Sequence, residues 1–424
     1  MKTVASIRTF LLLTASILTL SAVAAGCSSS GGDDDEGKTS SELRLTLRTQ
    51  PLPVESYEQF LTFDVQGGWK LNTSADWLLL SVPTTSGGSE EGDDESEGGT
   101  AGSQTLSGNG SQPVVLRSMA NPDENSRTGQ ISLKAGSKST LLNLSQEGTR
   151  SSEIQPGGQP STTAGWMELP ETDSSDGLDV FTVRFADGKR SYTFYWDYST
   201  MVSNWVAYPL NSSLIGDKMK RTDAWAYCPL LPAAKQQNVS RGYADGNNGH
   251  YDRGHQLPSA DRLGTFARNA QTFYGVNMTP QNTNFNCNLW ATLEGRVRTW
   301  AKKTYTDTLY VVTGCVTEGA RYYVYDASSR KITVPTAYFK ALLLKEKESG
   351  SLYSSTSHYT ATAFWFDHVE YSAEGKYNAS LNKSMSISVK ELEQKLGYEL
   401  FVNLDDIVGT EMANKIKSEN NIQW

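Results

Sequence analysis

The N-terminal third of the chain alternates between apolar and polar positions. Leu43, Leu45 and Leu47 stand between polar residues, as do Leu61, Phe63 and Val65. Ile131 and Leu133, then Leu142, Leu144 and Gln146, repeat the pattern. A period of two places every second side chain on one face, as in a half-buried strand. Helical period is absent here, so residues 41–148 are expected to form an all-β sandwich of short strands joined by turns. From Trp166 onward the pattern changes. Tyr192, Phe194 and Trp196 still alternate, and Leu309 to Val312 and Ala341 to Leu344 are short apolar runs of strand type. Leu289, Leu293, Val297 and Trp300, however, stand three or four apart and predict an amphipathic helix over 286–303. Val389 to Leu396 predicts a second helix, with Ser388 as its N-cap and Glu391 in capping-box spacing. Strands and helices out of strict alternation point to an α+β fold for this part.

Between these regions lie stretches with little to bury. A length of 424 residues fits two domains with tails. Lys2 and Arg8 precede an apolar run from Phe10 to Ala25 that ends in small residues, the pattern of a secretory leader. Ala24-Ala25-Gly26-Cys27 resembles a bacterial lipobox, with Ala24 where that pattern usually has leucine. The organisation expected is a lipoprotein signal peptide over 1–26, lipid-modified Cys27, and a Ser/Gly/acidic tether over 27–40. Then come the sandwich over 41–148 with an acidic low-complexity loop at 85–112, a linker over 149–165 and a second domain over 166–424. Asp33-Asp34-Asp35-Glu36 resembles the surface-export signal of Bacteroidota lipoproteins. Together these features place the protein in the cell envelope, as an outer-membrane lipoprotein exposed at the surface.

Charge and cysteines narrow the picture less. The formal net charge of −9 argues against a polyanionic partner at first sight. Residues 1–150 carry 11 Lys and Arg against 18 Asp and Glu, which leaves 27 against 29 for the rest. The C-terminal part is therefore close to neutral, and any basic groove there is local. Outside the cytoplasm, Cys228, Cys287 and Cys315 allow one disulfide and leave one thiol over. No CxxC or Cys/His spacing supports a zinc site.

The chemistry concentrates in two segments. Tyr251-Asp252-Arg253-Gly254-His255 is followed about thirty residues later by Asn286 to Arg298. The pair offers a histidine, an asparagine, a glutamate and arginines, the parts needed to cut a phosphodiester with one bound metal ion. An attacking water must lose a proton, and neutral histidine accepts one near working pH. The phosphate gains negative charge, and a divalent ion and arginines offset it. On the predicted helix the apolar residues form one stripe, Glu294 and Arg298 lie one turn apart on the neighbouring face, and Asn286 falls inward at the first turn. Read from the helix alone, Asn286 is as well explained as a cap, and Glu294 with Arg298 as a surface ion pair.

Asp252-Arg253-Gly254-His255, with Pro258, Ala260 and Asp261, resembles the signature of the DNA/RNA non-specific endonucleases. The resemblance extends over roughly residues 185–412. It includes Lys220-Arg221-Thr222-Asp223, Tyr274 to Gln281, the Asn286 to Glu294 spacing, Val311 to Gly314, Val334 to Thr336 and Phe339-Lys340. It implies a ββα-metal (His-Me finger) nuclease domain that cleaves DNA and RNA. His255 would be the general base, and Asn286 the one protein side chain bound directly to Mg²⁺, with Mn²⁺ as a substitute. Water and phosphate oxygens would complete the octahedron that Mg²⁺ prefers. Glu294 would hold a water of the metal. Arg221, Arg253 and Arg298 match arginines that contact phosphate or stabilise the transition state. Asn277 matches an asparagine that supports the histidine or the phosphate. Asp252 would order the signature loop, and Gly254 would permit close backbone approach. His250 is read as a loop residue, and His358 and His368 as structural.

The N-terminal region has its own resemblance. Phe63 to Trp69, Asp76-Trp77-Leu78, Asn121-Pro122, Arg127 to Ile131 and Leu144 to Gly148, in that order, resemble the BACON family of immunoglobulin-like modules. In a second reading of the protein, this module binds glycans or an envelope partner and the nuclease-like domain is secondary. Trp69 and Trp77 decide between a glycan platform, where they are exposed, and a sandwich core, where they are buried.

Overall fold

In the computed structural model the described residues are 43–82, 103–123, 125–148, 165–173, 179–245, 251–347, 358–371 and 380–422. The leader, Cys27, the tether, the loop up to residue 102, the linker up to residue 164 and His250 lie outside them.

Residues 46–146 form two four-stranded antiparallel sheets. One runs in the order Thr46–Leu47, Tyr57–Thr62, Val114–Ser118, Leu78–Ser81; the other runs Thr105–Asn109, Gly68–Thr73, Arg127–Ala135, Lys138–Gln146. The alternation of the sequence appears directly. Gly68–Thr73 is exposed and buried by turns, and Leu71, Leu78, Ile131 and Leu133 are wholly buried in a shared core. Thr105–Asn109 departs from expectation, because it lies within the stretch 85–112 expected as a loop. Its residues, Thr-Leu-Ser-Gly-Asn, carry almost no apolar pattern. The strand exists through its ladder to Gly68–Thr73, which sequence periodicity does not register. Trp69 and Trp77 are both buried, with the Arg127 guanidinium 4.3 Å above the Trp77 ring. Neither indole offers a face to a ligand, so the glycan platform gains no support.

The C-terminal part is built on a seven-stranded antiparallel sheet. Its spatial order is Ser386–Ile387, Tyr359–Asp367, Ala337–Glu346, Thr306–Val316, Val202–Leu210, Arg190–Asp197, Asp179–Arg184. Both faces are covered. Tyr192, Phe194 and Trp196 enter one core, while Tyr195, Trp205 and Phe339 enter the other. Central strands are therefore buried at nearly every position, as Arg190–Asp197 shows. Gly314 lets the middle of the sheet close up. A Cβ there would stand 2.4 Å from both the Asn204 carbonyl oxygen and the Phe339 ring.

The helix Val389–Leu396 has its capping box in place: Ser388 Oγ accepts from the Glu391 N–H while Glu391 reaches back to the Ser388 N–H. It ends at Gly397, whose φ of 80° suits glycine. The other predicted helix differs from expectation. Residues 286–303 do not form one α-helix; Phe285–Trp290 is a π-helical turn and the α-helix runs over Ala291–Ala301. Leu289, Leu293, Val297 and Trp300 are nonetheless buried to within 1%, each stabilising the helix by about 1.5–3 kcal/mol. The cap at this end comes from Asn282, whose Oδ1 accepts from the Phe285 N–H at 3.2 Å, so Asn286 is left to another role.

The two parts touch. Leu79 and Met119 from the N-terminal sheets pack with Ala224, Phe266 and Ala270, and Arg117 lies 4.8 Å over the Phe266 ring. Cys228 and Cys315 are buried and Cys287 is exposed; none of the three is in a disulfide, so the one that an oxidising compartment allows is not formed among them. Burial pushes the Cys228 thiol up to about 12, where it behaves as a small apolar residue.

Candidate active site

His255 ends the strand Tyr251–His255, which pairs antiparallel with Met278–Asn282; His255 itself stands opposite Met278. The second strand leads through Thr283 and Asn284 into the π turn and the helix, so the strand paired with that of His255 runs straight on into the helix. Gly254 is required by space. A Cβ there would sit 2.1 Å from Oε1 of the buried Gln281.

The histidine is 8% exposed, and its Nε2 has no hydrogen-bond partner among the described residues. Trp225 and Phe273 wall it, with ring centroids 5.8 and 5.1 Å away. The Arg253 guanidinium lies 3.5 Å from the Trp225 centroid and donates from Nη1 to the Val239 carbonyl. Arg221 stands 5.0 Å over Phe273, and its Nε donates to Asp223 at 2.8 Å. Burial first, then the charges of Arg221 and Arg253, hold the imidazole well below its usual pKa. These surroundings oppose the imidazolium and favour the neutral form that can accept a proton.

Asn286 lies in the π turn, where its Nδ2 donates to Asp252 Oδ2 at 3.1 Å. The other Asp252 oxygen accepts from Thr283 Oγ1 at 2.9 Å, and Cys287 Sγ stands 3.7 Å from Oδ2. Asp252 thus ties the signature strand to the turn and fixes which end of the Asn286 amide faces away. With its nitrogen engaged, Asn286 presents the carbonyl oxygen, a hard donor of the kind Mg²⁺ and Mn²⁺ take. Among the described residues no three His, Cys, Asp or Glu side chains converge as a cage. A cation held here would rest on Asn286, water and substrate phosphate, and that donor set fits Mg²⁺, which keeps several waters.

Glu294 and Arg298 follow on the helix, at the edge facing Asp261. Arg298 Nη1 donates to the buried Asp261 Oδ1 at 3.3 Å, and Tyr208 donates its hydroxyl to the other Asp261 oxygen at 3.2 Å. Lys340 completes this side. It is wholly buried, lies 4.6 Å over the Trp290 ring and has no hydrogen-bond partner for Nζ. Burial, opposed by Glu294 and Asp261, pushes its ammonium down to about 8.

Asn277 is committed elsewhere. Its Oδ1 accepts from the Leu257 N–H, and its Nδ2 donates to the Leu257 and Thr272 carbonyls. It holds the segment just after His255, and its amide has no capacity left for phosphate. His368 bridges as well, its Nδ1 at 2.7 Å from the Pro335 carbonyl while Nε2 accepts from the Asn282 N–H.

Sequence reasoning missed Trp225, Phe273 and Lys340. Lys340 stood in a quoted segment and Trp225 two residues beyond another. The signal that could have found Lys340 is a lysine inside an otherwise apolar strand run, Tyr338 to Leu344. Nothing in the sequence paired Trp225 with Arg253.

Comparison with known proteins points to one family. The family model for DNA/RNA non-specific endonucleases matches residues 178–407. A nuclease of Nostoc sp. is 30% identical over 228 residues, covering 54% of this chain and 77% of that protein. A nuclease of Serratia marcescens is 25% identical over 228 residues, covering 54% and 79%. Among solved structures, a chain of the crystal structure of the EndoG/EndoGI complex is similar at a TM-score of 0.41 and 17% identity, covering 58% of this chain and 94% of that one.

Proposed function

Since the chain belongs to the DNA/RNA non-specific endonuclease family, a family of phosphodiester-hydrolysing and generally divalent-metal-dependent enzymes, we propose that it is a Mg²⁺-dependent, sugar-non-specific endonuclease acting outside the cytoplasm from a lipid on Cys27. Its substrates are DNA and RNA. The observation that carries this reading is the unpartnered Nε2 of a buried His255 near Arg221 and Arg253, on the strand whose Asp252 holds the Asn286 amide.

His255 Nε2 accepts the proton of the attacking water as the new O–P bond forms and the bond to the 3′ oxygen breaks. Arg221 and Arg253 oppose the negative charge that builds on the phosphate; each lies against an aromatic ring, which limits its freedom before substrate arrives. Arg298 shares its charge with Asp261, so it acts from the helix side as a partly neutralised donor. Asn286 and Glu294 are the residues that would hold the ion or its water. When bound, the ion neutralises charge on the phosphate and on the departing oxygen.

The test is digestion of plasmid DNA and of RNA by the mature chain, with and without Mg²⁺. Cleavage is expected only with metal, and His255→Ala and Asn286→Ala are each expected to lose about a hundredfold or more. Absence of metal-dependent cleavage, or full activity in His255→Ala, would overturn the reading.

A further inference from the structure

A nuclease with a nearly neutral catalytic half must draw affinity from something besides bulk charge. The small sheet next to the signature strand offers a source. It consists of Ala244–Asp245, Tyr323–Tyr325 and Lys331–Thr333, paired in that order. Val324 and Ile332 point inward and are wholly buried. Tyr323 and Tyr325 share the opposite face, their rings 5.5 Å apart, and the Lys331 ammonium stands 4.1 Å over Tyr323. Tyr322 is 55% and Tyr325 36% exposed. Tyr325 is one of the exposed large apolar side chains among the described residues and shares its face with Tyr323, so the sheet presents an aromatic pair to solvent.

Charge favours an anionic partner that also has flat rings. Arg241, Arg321 and Lys331 are exposed around the tyrosines, with Glu318 the exposed acid nearby. Asp326 does not face the patch. It is buried, and its oxygens accept from the backbone of Asn238, Ser328 and Arg330 and from the Arg330 side chain.

Hydrogen bonds tie the sheet to the catalytic centre. Asn238 donates to Asp326 and accepts from the Ala327 N–H, while the next residue, Val239, accepts from Arg253. The strand Tyr323–Tyr325 is thus joined to Arg253 through Asp326, Asn238 and Val239.

Resting on the nuclease reading above, we propose that Tyr323, Tyr325 and Lys331 form a stacking platform for unpaired bases of a polynucleotide whose scissile phosphate lies at His255. Stacking on tyrosine is tolerant of sequence because every base has a π face. In a duplex the bases are stacked on one another and cannot use the platform.

The experiment measures binding of labelled dT20 and of a 20-base-pair duplex to the full mature chain without divalent metal. The proteins are wild type, the Tyr323→Ala/Tyr325→Ala double variant and Lys331→Ala, with thermal unfolding recorded for each. The double variant is expected to raise the Kd for dT20 about tenfold or more and leave the duplex within about twofold, with Lys331→Ala intermediate. Equal dT20 affinity in wild type and double variant, or no dT20 binding by wild type, overturns the platform. A wild-type dimer in light scattering that the double variant loses also overturns it, by giving the face to a second copy. Metal-dependent plasmid cleavage by wild type, run alongside, tests the nuclease reading separately. Loss of dT20 affinity without any cleavage by wild type would sink that reading and leave the platform standing.

Discussion

Asp252 accepts a hydrogen bond from the Asn286 amide nitrogen across 34 residues of chain, at 3.1 Å. That contact sets which atom of the asparagine is free. In Asp252→Ala the amide can rotate, and the carbonyl oxygen is no longer held outward. Partners behind a metal ligand commonly contribute 10–100-fold in affinity. The Mg²⁺ concentration for half-maximal cleavage is expected to rise at least about tenfold, with a smaller change at saturating metal. An unchanged metal titration would show that Asn286 needs no such support.

The environment of His255 makes a statement about pH. Burial, Arg221 and Arg253 all disfavour the imidazolium, so the folded pKa is well below the usual 6.5. The acid limb of kcat/KM, which reports the free enzyme, should therefore lie well below 6.5. Activity is lost only as pH falls through that depressed value. Arg253→Gln removes one repelling charge and should move the limb toward neutrality while lowering the rate. The same shift bears on stability. Its contribution is complete above the unfolded pKa and declines as pH falls, because the unfolded chain binds the proton first. A wild-type limb at or above 6.5 contradicts this account.

Lys340 is a buried cation without a hydrogen-bonded partner, so its charge is costly to the fold. Between pH about 8 and the ordinary value of 10.5 the folded state releases this proton and the unfolded state keeps it. Stability from this group rises with pH across that window. Lys340→Met preserves length and removes the charge. It is expected to be at least as stable as wild type at pH 7, by up to about 1–4 kcal/mol. The advantage should shrink as pH approaches 10.5. Denaturant unfolding of both proteins across the window checks it, and a difference independent of pH would count against a charged Lys340. Activity of the variant reports separately whether Glu294 and Arg298 depend on this neighbour.

The N-terminal sheets brace the segment that carries Arg221. Ala224 and Phe266 are buried at the contact with Leu79 and Met119. A chain beginning at residue 165 would expose them, at a cost of about 1.5–3 kcal/mol for Phe266 alone. It is expected to unfold at lower temperature than the full mature chain and to show a higher KM, because Arg221 is three residues from Ala224. Calorimetry and steady-state rates decide this, and equal values in both would make the N-terminal module a separate passenger.

Much of this is legible in the sequence. Ser388 and Glu391 announced a capping box and form one. Leu289, Leu293, Val297 and Trp300 announced a buried stripe and are buried. The family membership rests on residues read in order along the chain. The misreadings share a cause. Thr105–Asn109 is a strand through a partner in another part of the chain, and the π turn at Phe285–Trp290 interrupts a period that assumes uniform winding. Of the two roles offered to Asn277, support of the histidine or of the phosphate, its bonds to backbone at Leu257 and Thr272 favour the first.

The sequence by itself determined the periodic elements, the family and the identity of His255 and Asn286 as candidates, since these depend on residue type and on spacing within a few turns. Only the tertiary structure decided the protonation of His255, the orientation of Asn286, the pairing of Arg298 with Asp261 and the placement of Trp225 and Lys340. Those properties are set by burial and by partners such as Asp261, 37 residues from Arg298. Electrostatics and desolvation act through space, and local sequence carries no record of which distant groups the fold brings together.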